Sequence, residues 1–202
     1  MCFSLLPCNA LDGPHLMQSA QKAGTAAAQR TQALLQEMER LASLDEIEKI
    51  RGMNQFYNRQ IQYREDIDNW GVVDYWSSPM ELLQRGAGDC EDYAIAKYFS
   101  LIAMGLPSAK MRMVYVRAMN AGVVQAHMVL AYYPEPNAEP LVLDNLISDI
   151  RSASRRPDLA PVFSFNAEGL WQGVGAASAG DPVARLSRWR EVLSKAKSEG
   201  WW

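Results

Sequence analysis

Residues 90–104 (Cys-Glu-Asp-Tyr-Ala-Ile-Ala-Lys-Tyr-Phe-Ser-Leu-Ile-Ala-Met) are apolar on almost every side of a helical projection. Tyr93, Ala94, Ile95, Ala96, Tyr98, Phe99, Leu101 and Ile102 leave no broad polar face, so this helix has to be central and the rest of the chain wraps around it. Gly86-Ala87-Gly88-Asp89 leads into it and Gly105-Leu106-Pro107 ends it. Its first residue is Cys90, and a thiol at a helix start faces unpaired backbone N–H groups that favour the thiolate, as a nucleophile requires. The competing reading is a small cysteine packed in a core. The neighbours argue against it. Asp89, Glu91 and Asp92 flank the thiol, and uncompensated carboxylates are costly to bury. Three acids would also raise the thiol pKa by repulsion. A divalent cation is the simplest group that would neutralise them.

Helices dominate the sequence before this segment. From about His15 to Ala42 the chain is rich in Ala, Gln, Glu and Arg, with Leu34, Leu35, Met38, Leu41 and Ala42 at helical spacing. Ser43-Leu44-Asp45-Glu46 has a capping-box pattern, which predicts a second helix through Ile47, Ile50, Met53 and Tyr57 to near Gln60. The stretch 63–71 reads as an acidic loop. Its Asp66 and Asp68 either face solvent or add oxygens to a cation near Cys90, since a hard ion such as Ca²⁺ takes six to eight. Ser78 and Pro79 suit the cap and first turn of a short helix that stops at Gly86.

Strands dominate after it. Met111–Met119 and Val123–Tyr133 flank the turn Asn120-Ala121-Gly122 as a hairpin, Leu141–Leu146 gives a third strand, and another lies within Val162–Trp171. Residues 173–180 form a Gly/Ala/Ser linker before a last helix over 181–197, with Leu186, Trp189 and Val192 facing inward; Trp201-Trp202 has no assigned role. Helices followed by strands predict an α+β chain with an antiparallel sheet. Three segments follow: a lead and amphipathic helix (1–42), the main domain (43–172), and a linker with a C-terminal helix (173–202).

Several classes of function are excluded. A net charge of −3 gives no electrostatic reason to bind nucleic acid, and the short cluster Arg151, Arg155, Arg156 reads as a solvated loop. No apolar run reaches the roughly 18 residues of a membrane span. Cys2 and Cys8 could pair, but three cysteines do not make a disulfide scaffold. The first ten residues lack the positive region of an export signal.

A nucleophilic cysteine needs an imidazole, and the imidazole needs a group that fixes its tautomer. The sequence has two histidines: His15 in the N-terminal lead, and His127 within the second strand. Alternation puts His127 on one face with Val123, Gln125 and Val129. Asp144 ends the apolar run of the third strand, where an acid needs a partner. The alternatives are a packed core histidine and an aspartate that forms a strand-end turn. Taken together, Cys90, His127 and Asp144 follow the order and placement (a helix, then two strands) of papain-like and transglutaminase-like triads.

The residues between Leu41 and Trp171 resemble the bacterial transglutaminase-like cysteine proteinases, and among them the LapG-type periplasmic proteases that release large biofilm adhesins. The resemblance rests on Asn69-Trp70-Gly71, Tyr75-Trp76-Ser77-Ser78-Pro79-Met80-Glu81, Gly86 to Lys97, Gln125-Ala126-His127-Met128-Val129 and Leu143-Asp144-Asn145. It implies a papain-like/transglutaminase-like fold with a helical N-terminal lobe and an antiparallel-sheet C-terminal lobe. It implies Cys90 as nucleophile, His127 as base and then acid, and Asp144 as the orienting carboxylate. It implies calcium beside the nucleophile, held by Asp89 and Glu91, with Asp92, Asp66 and Asp68 as secondary candidates. The oxyanion hole would combine the Cys90 N–H with an upstream donor such as Gln84 or Trp76. The implied substrate is the N-terminal region of a large repeat adhesin, cut near small residues such as paired alanines, which would control biofilm attachment. The implied partner is the periplasmic domain of an inner-membrane cyclic-di-GMP receptor. Two other classes fit the same residues: an acyltransferase or amidase using the triad, and a calcium-binding interaction module without catalysis.

Overall fold

A computed structural model describes residues 11–175 and 178–201. Cys2 and Cys8 lie outside the described residues.

The helical half opens with α1 (Gly13–Ala23), α2 (Thr25–Leu41) and α3 (Glu46–Gln60). The single helix expected over 15–42 is two helices, because Gly24 sits at φ +119°, where its N–H still bonds back to Ala20 and Gln21 but the helix cannot continue. Leu16, Ala20, Ala27, Thr31, Leu34, Met38 and Leu41 form the buried stripe of the pair. The capping box predicted at Ser43 is displaced. The α3 cap is Asp45, which accepts from the Glu48 N–H at 2.9 Å, while Leu44 still turns back onto the end of α2.

Next come β1 (Gln62–Tyr63), α4 (Asp66–Asn69), α5 (Pro79–Arg85), β2 (Ala87–Gly88) and α6 (Cys90–Ala103). The expected capping of α5 is present: Ser78 and Glu81 cap each other's backbone, and Gly86 closes the helix at φ +67°. The central helix of the sequence reading is α6, with every residue from Asp92 to Leu101 buried.

One face of α6 packs on a sheet built from β3 (Met111–Asn120), β4 (Val123–Tyr132), β5 (Leu141–Leu143), β6 (Arg151–Ser152), β7 (Leu159–Phe165), β8 (Leu170–Gln172) and β9 (Ser178–Gly180). Its order is β6-β5-β4-β3-β7-β8-β9, and all pairs are antiparallel. The β3–β4 hairpin closes through a two-residue turn with Ala121 at φ 48° and Gly122 at φ 82°. Alternation sends Met113, Met128, Leu130 and Tyr132 towards the helices, and Val114, Val116, Val129 and Ala131 into a smaller cluster on the other face. Two expectations shift here. The third strand ends at Leu143 rather than Leu146, and the stretch read as a linker contributes edge strand β9.

The chain ends with α7 (Pro182–Arg185) and α8 (Ser187–Glu199). Trp189, Val192, Ala196 and the unassigned Trp201 are all fully buried. Trp189 packs on Phe165, which stacks on Trp76, so this last helix supports the wall of the site described next. Among the described residues no helix is long and apolar enough to cross a membrane.

Candidate active site

The position of Cys90 follows from its local sequence. Gly86 ends α5 in a left-handed turn, and β2 then pairs in parallel with β1, Gln62 opposite Ala87 and Tyr63 opposite Gly88. A Cβ on Gly88 would lie 2.5 Å from the Asp92 carboxylate and 2.7 Å from Leu82, so only glycine permits this approach. Asp89 and Cys90 therefore emerge where α6 begins. Cys90 opens into a cleft of about 410 Å³ together with Trp76, Asp89, Glu91, Tyr115, Gln125, Ala126, His127, Met128 and Leu146.

His127 and Asp144 meet beside the same cleft. The His127 Nε2 lies 2.8 Å from Asp144 Oδ1, with both side chains buried. Asp144 also accepts from the Leu146 N–H at 3.1 Å and from Arg156 Nη2 at 2.7 Å. Burial alone would raise its pKa. The bonds from His127, Leu146 and Arg156 outweigh that and bring the carboxyl down to about 2. Asn58 fixes the backbone here, donating to the Asp144 carbonyl at 2.7 Å.

Arg156 corrects the sequence reading. Composition groups it with Arg151 and Arg155 as a solvated loop, yet it is 2% exposed and bridges Asp144 and Asp158. Its composition signal is the same as that of half-buried Arg151 and exposed Arg155. Only the fold brings it beneath the histidine. Lys97, about two turns along α6 from the thiol, is also buried, and burial lowers its pKa to about 7 against the pull of Asp144.

The acids around Cys90 behave in the opposite way. Asp66, Asp89 and Asp92 are all buried, and one carboxylate oxygen from each lies within 4.8 Å of the others. Asp89, Cys90 and Glu91 form a second such group, and Asp66, Asp74 and Glu91 a third. Burial and the neighbouring acids Glu91, Asp92 and Asp66 raise the Asp89 carboxyl to about 10. Burial raises Asp66 to about 6 despite the bond from the Tyr75 N–H. Asp92, fully buried, is raised well above the carboxylate range by burial even though it accepts from the Ser77 N–H at 2.8 Å and hydroxyl at 3.2 Å. The Cys90 thiol, which donates to Glu91 at 3.0 Å, is pushed up by burial and then by the Glu91 charge, against a backbone bond from Met128. Asp66 Oδ1 and Asp89 Oδ1 are buried with no hydrogen-bond partner among the described residues. Orphaned, crowded carboxylate oxygens are the donor set of a hard divalent cation.

The structure thus gathers Asp89, Glu91, Asp92 and Asp66, and adds Asp74, which the sequence reading missed. It does not bring in Asp68, which is exposed on α4 and belongs to none of these groups. The motif 66–74 carries three acids in nine residues, so spacing alone could not separate those that turn inward. Of the two oxyanion donors considered, Trp76 lines the cleft, whereas Gln84 is turned away and donates to the Ala23 carbonyl.

Comparison with known proteins agrees with this geometry. Residues 19–158 match the family described as bacterial transglutaminase-like cysteine proteinases. Three solved structures of LapG from Legionella pneumophila superpose on most of the chain. The EGTA-treated form has TM-score 0.82 at 38% identity, covering 93% of this chain and 98% of that one. A second LapG structure gives 0.80 at 39% identity, with coverage of 92% and 96%. The calcium-bound form gives 0.78 at 38% identity, with 91% and 98%. No curated protein matches in sequence. A family match over most of the chain, and 38% identity to a LapG structure across 93% of this chain, lead to one conclusion: this chain belongs to the bacterial transglutaminase-like cysteine proteinases.

Proposed function

We propose that this chain is a calcium-dependent cysteine endopeptidase with Cys90, His127 and Asp144 as its triad, and that it cuts the N-terminal region of a large surface adhesin. The observation that carries this reading is the buried His127–Asp144–Arg156 chain of hydrogen bonds ending at the cleft into which the Cys90 thiol opens. Asp144 engages Nε2, which leaves Nδ1 as the imidazole nitrogen that takes the thiol proton. The Cys90 thiolate then attacks the scissile carbonyl. Oxyanion charge falls on the Cys90 N–H and the Trp76 indole. Collapse expels the amine, which takes its proton from His127, and leaves a thioester. Water deprotonated by His127 attacks the thioester, and the carboxylic acid and free thiol are regenerated.

The calcium-bound LapG structure supports the choice of ion, and Asp66, Asp89, Glu91 and Asp92 are the residues that would hold it. When bound, calcium supplies positive charge beside the thiol, offsetting acids that otherwise hold the proton on sulfur. The adhesin substrate, cleavage near paired alanines, a periplasmic site of action and restraint by an inner-membrane cyclic-di-GMP receptor all rest on the likeness to LapG-type proteases. Co-purification with that receptor's periplasmic domain tests the last of these.

The first test is cleavage of an adhesin N-terminal fragment by wild type and Cys90→Ala, with calcium and with EGTA. Cutting that needs both calcium and Cys90 is the expected result. Cutting indifferent to EGTA would remove the acids from the mechanism. Incorporation of an added amine in excess of hydrolysis would replace the protease with an acyltransferase. No cutting by folded protein would point to a calcium-binding interaction module.

A further inference from the structure

We infer that the substrate is read as an extra β-strand, added to an open stretch of β4 that leads to the thiol. This deepens the protease reading and rests on it. The backbone groups concerned, those of Val124 and Ala126, are outside the triad and the acid cluster.

β5 pairs only with Leu130, Ala131 and Tyr132, so among the described residues no strand lies beside the edge of β4 away from β3 from Val123 to Val129. The hairpin parity says which groups are exposed there. The two-residue turn makes Asn120 and Val123 a closing pair, and Tyr133 N–H donates to the Lys110 carbonyl at 2.8 Å, so odd-numbered residues of this segment direct their backbone to β3. Val124, Ala126 and Met128 then direct their N–H and C=O groups outward. Among the described residues none of the three bonds through its backbone to a loop or turn. Met128 lines the same cleft as the Cys90 thiol, which places the thiol at the inner end of this row.

The side chains on this edge do nothing to guard it. Exposed edge strands are usually blunted by charge, proline or a covering segment. Here Val123 is 62% exposed and Val124 57%, followed by exposed Gln125 and Ala126, with no charge and no proline. Gln125 and Ala126 also line the cleft with Cys90 and His127. The exposed part of the row, Val123 to Ala126, is about 13 Å long at strand spacing, enough for an extended peptide of roughly four residues, and buried His127 and Met128 mark its inner end. Its occupant is the substrate main chain: backbone bonds hold the segment, and alternate side chains face the cleft.

The test is an N-methyl scan of a peptide spanning the bond cut in the assay above, with one amide blocked at a time. Strand addition predicts losses of kcat/KM of threefold or more at every second amide on the side that meets Val124 and Ala126, and changes under twofold at those between. A uniform response, or none, would overturn the inference while leaving the protease intact. If the unmethylated peptide is not cut at all, the protease reading fails and the strand goes with it. The protein side is checked with Val124→Pro, which removes one outward N–H, against Val124→Ala, which keeps it. The proline variant is expected to lose threefold or more on the long peptide, and the alanine variant less than twofold, with both confirmed as folded by thermal melting. Equal behaviour of the two would overturn the inference, as would a dimer of this chain that Val124→Pro dissolves.

Discussion

Two buried aspartates lie on either side of the same cleft and respond to burial in opposite directions. Asp144 has a histidine, an arginine and a backbone N–H, and its carboxyl is held at about 2. Asp89 has Glu91, Asp92 and Asp66 around it and an orphaned oxygen, and its carboxyl is pushed to about 10. Residue type and depth are similar, so the company each keeps decides the sign. The Asp144 side is complete as folded. The Asp89 side becomes balanced only when positive charge arrives.

The largest effect should come from breaking the completed side. Asp144→Asn leaves the buried Arg156 with Asp158 as its remaining carboxylate partner and removes the charge that fixes the His127 tautomer. It should lower kcat on the order of 10³-fold and cost about 3 kcal/mol in urea unfolding, as expected for a broken buried ion pair. Arg156→Met tests the same bond from the other end. A loss of stability without a large loss of kcat would show that the arginine supports Asp144 only structurally.

The incomplete side should respond to the ion instead. Calcium at about 100 times its Kd should stabilise the protein by about 3 kcal/mol, and Asp89→Asn should remove most of that gain in a calcium-dependent melt. A full calcium shift in Asp89→Asn would mean that the ion binds elsewhere.

The two sides also predict opposite pH trends. The lowered Asp144 pKa contributes stability that is present above about 4 and is lost as pH falls towards 2, about 2 kcal/mol in all. The raised Asp66 pKa works the other way: folding favours its protonated form, so the penalty grows as pH rises from 4 and levels off above about 6. EGTA-treated protein should therefore melt higher at pH 5 than at pH 7, and calcium should erase or reverse that difference. The smallest effect belongs to Asp68→Asn, which should change calcium response by less than twofold because the residue is exposed and outside the cluster.

Much of the fold is written locally. The uniformly apolar run after Cys90 could only be central, the Ser78-Pro79 start and Gly86 stop of α5 are short-range chemistry, and Asn120-Ala121-Gly122 marks a hairpin without help from elsewhere. The errors fall where short-range signals compete. Ser43 and Asp45 both suit a helix cap, and the end of α2 consumes the turn at Ser43. Gly24 is tolerable within a helix by propensity, so its break was not visible in the periodicity.

The candidate site divides along the same line. Sequence by itself determined the residue types and the helix start: a cysteine where backbone N–H groups are free, acids beside it, one strand histidine and one strand-end aspartate. The tertiary structure alone decided their partners. Arg156 and Arg155 are neighbours of one type, yet only Arg156 turns under Asp144, and Asp66 and Asp68 share one short helix, yet only Asp66 turns inward. The physical reason is that burial and charge pairing depend on which distant segments meet. No local pattern encodes that, and neither does it encode where β5 stops and leaves β4 open beside the thiol.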